Sequence, residues 1–361
     1  MTAVRALGPA VLAAFLAVAP ALAQNREPWT GPGIPARSAA STEPGSASAA
    51  ARAVTVVGLT VSDMARSIDF YTRVLDFERV SDVEVADPAY AQLEGVPGAR
   101  ARVVRLRLGD ESLELTAYTA PAGRPGPADA RSNDRWFQHV AIIVSDMDRA
   151  YARIREHHVQ PTSSAPQLLP KTIPNAAGIR AFYFRDPDGH PLEILQFPPD
   201  KGNSKWQRAD GRLFLGIDHT AIVVKSTAAS LAFYRDALGF RVAGGSLNFG
   251  TEQEHLNNVP GARLRITSLR AAQGPGVEFL EYLTPRDGRP YPANEHANDL
   301  VHWQTTVLVP DAATAAAVVR RGRFRLVSPG PVELPDTALG FQRGLMVRDP
   351  DGHAVQLIQA P

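Results

Sequence analysis

The chain has no cysteine. Neither a disulfide framework nor a thiolate metal site is open to it, so any bound metal must be held by imidazole, carboxylate or amide groups. It also lacks an excess of either charge, with 38 basic against 37 acidic side chains among 361 residues and no dense Lys/Arg block. That balance excludes the electrostatic footprint of a protein that binds nucleic acid or an anionic membrane. Aromatic residues are sparse at 7%, yet 44% of the chain is hydrophobic, enough to build the cores of two or three domains. The expected partner is a small-molecule ligand or substrate, and the expected state is a monomer or homodimer.

Residues 1–23 carry Arg5 as their one charge, then an apolar run from Leu7 to Leu22 that ends in Ala21-Leu22-Ala23. This is the pattern of a secretory signal peptide with a small-x-small cleavage site. Pro9 and Pro20 argue against a membrane anchor, and the lack of cysteine after the cleavage site argues against a lipid anchor. The expectation is an exported protein, periplasmic or secreted, with no membrane attachment once cleaved. Residues 24–52 are rich in Ser, Ala, Pro and Gly and predict a flexible tether.

From Ala53 onward the chain repeats itself. Phe70-Tyr71 returns as Phe233-Tyr234, Val96-Pro97-Gly98-Ala99-Arg100 as Val259-Pro260-Gly261-Ala262-Arg263, and Asp186 as Asp349, each displaced by 163 residues. Within the first half, Val61-Ser62-Asp63-Met64 returns as Val144-Ser145-Asp146-Met147. The reading is a tandem duplication of paired modules, roughly 53–118, 136–197, 213–283 and 300–360, with domains at 53–197 and 213–361 and a linker at 198–212. Each module opens with a strand. A polar cap (Ser62-Asp63, Ser145-Asp146, Ser226-Thr227, Asp311) then starts a helix. Met64, Ile68, Tyr71 and Leu75 share one helical face, as do Leu231, Tyr234 and Leu238. More strands follow, so the predicted class is α+β with four βαβββ modules.

Arg185-Asp186-Pro187-Asp188-Gly189-His190 and its copy Arg348-Asp349-Pro350-Asp351-Gly352-His353 predict tight turns, each leading into an alternating strand. Those strands carry Glu193 and Gln356 between apolar neighbours, as earlier strands carry Glu114 and Glu278. Side chains alternate along a strand, so a Glu flanked by apolar residues faces away from the helix-packed side. A carboxylate placed there calls for a metal, a base or a hydrogen-bond donor. The corresponding opening-strand positions hold Val56, His139, His219 and Gln304. His302, two residues before Gln304, points to the same face and is read as a rim residue or base. His190 and His353 are read as turn residues. His157 and His158 fall at a helix end, His255 and His296 in loops, and Arg100 and Arg263 flank strands. Trp136 and Trp303 are read as core or pocket lining.

Paired βαβββ modules with His or Gln on the opening strand, Glu on the last, a Phe-Tyr helix end and an Asp-Pro-Asp-Gly-His turn resemble the vicinal oxygen chelate superfamily. Glyoxalase I, bleomycin-resistance proteins, fosfomycin-resistance enzymes and extradiol dioxygenases belong to it. The resemblance implies two glyoxalase-like domains, in each of which two modules close into a cup around one divalent metal. With neighbouring modules paired, it implies a first cup of Val56, Glu114, His139 and Glu193. The second would hold His219, Glu278, Gln304 and Gln356. The implied metal ligands are Glu114, His139, Glu193, His219 and Glu278, with Glu114 or Glu193 as catalytic base, and Val56, Gln304, Gln356 and His302 lining a substrate pocket. The metal would be Zn, Ni, Mn or Fe, or absent in a member that only sequesters a ligand. The three-ligand dioxygenase pattern is incomplete in either cup. The functions implied are a metal-dependent lyase or isomerase, a non-catalytic binding protein, and as a minor case an extradiol dioxygenase, with the metal chemistry expected in the N-terminal half.

Overall fold

The computed structural model describes residues 49–208 and 210–360, and the expected signal peptide lies outside them. So does the expected tether, except for residues 49–52 at its end, which pack rather than dangle. Ala49 and Ala51 are buried, and their N–H groups donate to the carbonyls of Ala237 and Leu238.

Module one runs β1 (Ala53–Thr60), α1 (Met64–Leu75), β2 (Glu78–Val85), α2 (Pro88–Glu94), β3 (Arg100–Leu108) and β4 (Glu111–Ala120). Module two runs β5 (Gln138–Val144), α3 (Met147–Glu156), β6 (Gln167–Leu168), β7 (Arg180–Arg185) and β8 (Pro191–Gln196). Module three holds β9 (Phe214–Val223), α4 (Thr227–Leu231, extended by a π-turn to Ala237), β10 (Arg241–Asn248), α5 (Thr251–Asn257), β11 (Arg263–Arg270) and β12 (Gly276–Thr284). Module four holds β13 (Trp303–Val309), α6 (Ala312–Arg321), β14 (Arg325–Leu326), β15 (Val332–Glu333), β16 (Arg343–Arg348) and β17 (Ala354–Gln359). The helices start where the caps predict. Asp63, Asp146, Ser226 and Asp311 each accept a backbone N–H from the first turn, satisfying a donor that would otherwise be orphaned.

The sheets do not follow the order of the chain. One runs β14-β16-β17-β13-β1-β4-β3-β2, with β15 paired to β16, and the other runs β10-β11-β12-β9-β5-β8-β7-β6. Module one therefore shares its sheet with module four, and module two with module three, through the antiparallel pairs β1–β13 and β5–β9. Each cup draws on both halves, which corrects the expected pairing of neighbouring modules. The halves still cohere on the helix side. One core joins Tyr71 and Leu75 of α1 to Met147 and Ile154 of α3, and a second joins α4 to α6.

The connectors β4–β5 and β12–β13 make this crossing possible. Arg124 of the first pairs with Asp299 of the second at 2.6 Å, and Arg289 of the second pairs with Asp134 of the first at 2.6 Å. The two contacts are related by the duplication. At the crossing, a Cβ on Gly123 would lie 1.6 Å from Asn298 O, and one on Gly288 would lie 1.9 Å from Asn133 O. Only glycine allows the two connectors to pass so closely.

The repeated turns are structural. Asp186 accepts the N–H groups of Asp188 and His190, the His190 ring at 2.8 Å and the Tyr71 hydroxyl at 3.0 Å. Asp349 repeats this with His353 and Tyr234. Each turn thus ties its module to the helix of the module before it. His157 caps α3, Arg100 and Arg263 are exposed, and Trp303 is core, as expected, whereas His255 belongs to α5 rather than a loop. No helix of the described residues is long and apolar enough to cross a membrane.

Candidate metal centre

Strand register brings the chemistry of modules two and three to one spot. On the concave face of their sheet, Glu193, Ala141 and His219 form one cross-strand row, and His139, Ala221 and Glu278 form the next. The two alanines at the centre are fully buried and leave the polar side chains room to converge. His139 Nε2 lies 3.2 Å from Glu193 Oε2, and His219 Nε2 lies 3.8 Å from Glu193 Oε2 and 3.5 Å from Glu278 Oε2. Donor atoms of His139, Glu193 and His219 all fall within 4.8 Å of one another. Two donors about 2.1 Å from one ion stand about 3.0–3.4 Å apart at octahedral to tetrahedral angles, so this spacing is close to what a shared ion requires.

His139 supplies the sharpest test of fit. It is 1% exposed, and neither ring nitrogen makes a hydrogen bond, since the 3.2 Å approach of Nε2 to Glu193 lacks hydrogen-bond geometry. Buried imidazoles ordinarily satisfy at least one nitrogen, so leaving both unmade costs about 1–3 kcal/mol unless a ligand supplies the partner. His219 is held differently, with Nδ1 3.0 Å from Asp218 Oδ2. Burial opposes a charge on His219, but Glu278, Asp218 and Glu193 more than offset this and raise its pKa to about 9. The cup thus concentrates negative charge and favours a cation at its centre. Glu278, the most exposed of the four, accepts a 2.5 Å bond from Ser268 Oγ.

The cup of modules one and four has the same two rows with different residues. Gln356, Thr306 and Val56 form one, and Gln304, Gly58 and Glu114 the other. Its carboxylates and amides are already matched, although Arg105 Nε has no partner. Glu114 pairs with Arg105 at 2.8 Å, and Gln356 Nε2 donates to Glu94 Oε1 at 3.0 Å. Gln304 Oε1 lies 3.2 Å from His302 Nε2, whose Nδ1 meets Glu295 at 2.6 Å, and Glu295 is clamped by Arg348 at 2.5 Å. Burial, with the charge of Glu114 nearby, pushes the Glu94 carboxyl up to about 8.

Several expectations change accordingly. Glu114 sits in the other sheet from His139 and Glu193, paired with Arg105, and no longer belongs with the metal ligands or the catalytic bases. His219 and Glu278 join His139 and Glu193 rather than Gln304 and Gln356. Val56, Gln304, Gln356 and His302 do share a cup, but with Glu114. The expected N-terminal metal site becomes a site at the seam of the two halves. Glu94, Asp218 and Ser268 were not anticipated from the sequence. Glu94 lies on a helix the repeat pattern did not predict, although its displacement by 163 from Asn257 marks an equivalent position. Asp218 was hidden because adjacent strand residues are expected on opposite faces.

Comparison with known proteins identifies the family and the fold. The chain is 33% identical over 151 residues to a 2-epi-5-epi-valiolone epimerase of Actinomyces sp, covering 40% of this chain and 80% of that one. It is 28% identical over 140 residues to the protein YaeR of Escherichia coli, covering 39% of this chain and 92% of that one. Glyoxalase I from Zea mays shares the fold, with a TM-score of 0.58 and 18% identity over 85% of this chain and 92% of that one. Divalent metals are common in such proteins, and the grouped His139, Glu193 and His219 are a possible site for one here. The profile of the Glyoxalase/Bleomycin resistance protein/Dioxygenase superfamily matches twice, at residues 53–194 and 216–357, and with the two cups of paired modules this makes the chain a tandem member of that superfamily.

Proposed function

We propose that the protein is a divalent-metal-dependent isomerase or lyase acting on a small molecule with two neighbouring oxygens, and that the cup of modules two and three is its active site. His139, Glu193, His219 and Glu278 would hold the metal. The observation that carries this reading is His139, buried with two unpartnered nitrogens among three other donors. A bound divalent ion supplies Lewis acidity, lowering the cost of negative charge on substrate oxygen. Glu193 and Glu278 lie on either side of His219, and a pair of carboxylates so placed can take a proton from carbon and return it. Ser268 Oγ donates to Glu278 Oε1 and holds that side chain in position. Phe137 and Tyr183, packed beside His139, exclude water from one wall. Removal and return of a proton at one carbon is the chemistry of an epimerase, the activity named for the 33% identical relative.

Metal analysis of protein purified without chelator tests this, alongside His139→Ala and Glu193→Gln. The reading expects bound metal in the wild type and little in either variant, and incorporation of solvent deuterium into small hydroxy-carbonyl compounds by the wild type alone. Wild-type protein no richer in metal than the variants would end it.

A second reading, sequestration of a small molecule without turnover, draws on the cup of modules one and four, where Gln304 and Gln356 present amides and no metal-ligand group is found among the described residues. Export is proposed from residues 1–23, to be tested by cell fractionation and by sequencing the mature N-terminus, expected at Gln24.

A further inference from the structure

The strand that carries His219 is not regular. In the pairing of β9 with β5, Ala141 faces His219 but Ile142 faces Ile217, so Asp218 has no partner and forms a β-bulge. A regular strand would send the side chains of residues 218 and 219 to opposite faces. The bulge turns them toward each other, and Asp218 Oδ2 meets His219 Nδ1 at 3.0 Å. Asp218 is itself buried and fully engaged. Arg270 Nη2 donates to the same oxygen at 2.8 Å and Arg270 Nη1 to the Asp218 carbonyl at 2.7 Å. Trp206 Nε1 donates to Oδ1 at 3.0 Å. Trp206 belongs to the 3-10 turn Ser204–Gln207 in the linker between the halves, a segment expected to be a mere connection.

We infer that Asp218 is a positioning residue for the metal site, held by Trp206 and Arg270, and that it fixes the proton of His219 on Nδ1 so that the Nε2 lone pair faces Glu193 and Glu278. The inference rests on the metal reading above. A carboxylate on the far nitrogen is what orients a ligating imidazole and raises its basicity. The chain contains its own control. Strand β1 has the same bulge, with Thr55 unpaired between Val54 and Val56. There the Thr55 hydroxyl bonds the Thr306 carbonyl and the next residue is Val56. Where the imidazole is missing, the carboxylate that would orient it is missing as well. A bulge kept in both copies is a property of the fold, and Asp at that bulge accompanies the donor it serves.

Titration of the full-length protein with Co(II), followed by visible absorbance, tests the inference with three proteins. Asp218→Asn keeps the shape but weakens the acceptor, and is expected to bind Co(II) about 10–100-fold more weakly than wild type. Trp206→Phe keeps an aromatic side chain but removes the indole N–H together with its five-membered ring, and is expected to lower affinity several-fold, with thermal unfolding of the apo form showing how much stability the lost packing costs. In zinc-loaded wild type, 15N-resolved NMR is expected to show a slowly exchanging proton on His219 Nδ1 that is lost or shifted in Asp218→Asn. If wild type binds Co(II) and both variants match it, the positioning role is wrong while the metal reading stands. If wild type binds none, the metal reading falls and takes this inference with it. Should Asp218→Asn fail to fold, Trp206→Phe alone decides, since wild-type affinity there overturns the relay.

Discussion

The two cups share a register and differ in how their polar groups are used. In the cup of modules two and three, His139, Glu193, His219 and Glu278 crowd together, and neither nitrogen of the His139 ring makes a hydrogen bond. In the cup of modules one and four, Glu114 has Arg105, Gln356 has Glu94, and His302 has both Glu295 and Gln304. One cup leaves both nitrogens of an imidazole without a hydrogen bond; the other pairs its carboxylates and amides internally and leaves over only the Nε of Arg105. Donors that the fold itself leaves unsatisfied are the better pointer to a ligand, because each carries a cost that only a ligand relieves. Equivalent positions in a duplicated fold can thus serve a site in one copy and a packed core in the other.

The largest effect expected from this contrast separates Glu193 from Glu114. Glu193→Gln is expected to lower metal affinity by more than about 100-fold, beyond what outer-shell changes produce, while Glu114→Gln leaves metal content unchanged. Equilibrium dialysis with zinc would show it, and equal losses in both variants would return Glu114 to the site. The same measurement has a pH arm. The His219 pKa of about 9 in the folded apo protein means the ion must displace a proton below that pH. Affinity is expected to fall about tenfold per pH unit from 9 downward, as one proton competes for one donor.

Breaking the crossing that creates the cups comes next. Arg289→Ala removes one guanidinium from the buried Asp134, which keeps two backbone N–H groups and Arg131, and is expected to cost about 1 kcal/mol because the lost guanidinium is partly exposed. Chemical denaturation measures this. The duplication predicts a comparable loss from Arg124→Ala, which leaves Asp299 with backbone donors alone. A negligible loss from both would mean that the connectors follow the module pairing rather than hold it.

Glu94 gives a test by pH. Its folded pKa of about 8 exceeds the ordinary 4.5, so the folded state binds the extra proton between those values. Stability attributable to Glu94 is therefore greatest below pH 4.5 and declines as pH rises toward 8, at no more than about 1.4 kcal/mol per unit. His219, also raised, adds a loss of its own above pH 6.5. Glu94→Gln isolates the first contribution. It is expected to raise stability at pH 8 by roughly 2 kcal/mol and change little at pH 4.5. Parallel pH profiles for variant and wild type would show that Glu94 is ionised without penalty.

Much of this was legible in the sequence. The displacement of 163 residues exposed four modules, and alternation placed Glu114, Glu193, Glu278 and Gln356 on the concave face before any coordinates. The pairing of modules was not legible, because a repeat relates module one to three and two to four but does not say which opening strands meet. The connectors decide that, and they did leave a trace. Gly123, Arg124 and Asp134 return as Gly288, Arg289 and Asp299, each displaced by 165. Asp218 was illegible for a different reason, since a bulge is a break in the period on which the reading of strands depends.

The smallest effect would come from trying to make the cups alike. Thr55→Asp, Val56→His and Gln356→Glu together give the cup of modules one and four an imidazole, its orienting carboxylate and a second acid beside Glu114. The backbone is ready, because the bulge and both rows are already present. The surroundings are not. Arg105 would still hold Glu114, and Glu94, raised to about 8, would share its proton with the new carboxylate and leave it a poorer ligand. Weak Co(II) binding is therefore expected, at least about tenfold poorer than in the natural cup, read as a second phase in the absorbance titration. Binding as tight as the natural site would show that first-layer donors alone separate the cups. No second phase at all would show that Arg105 and Glu94 close the copy to metal whatever its donors.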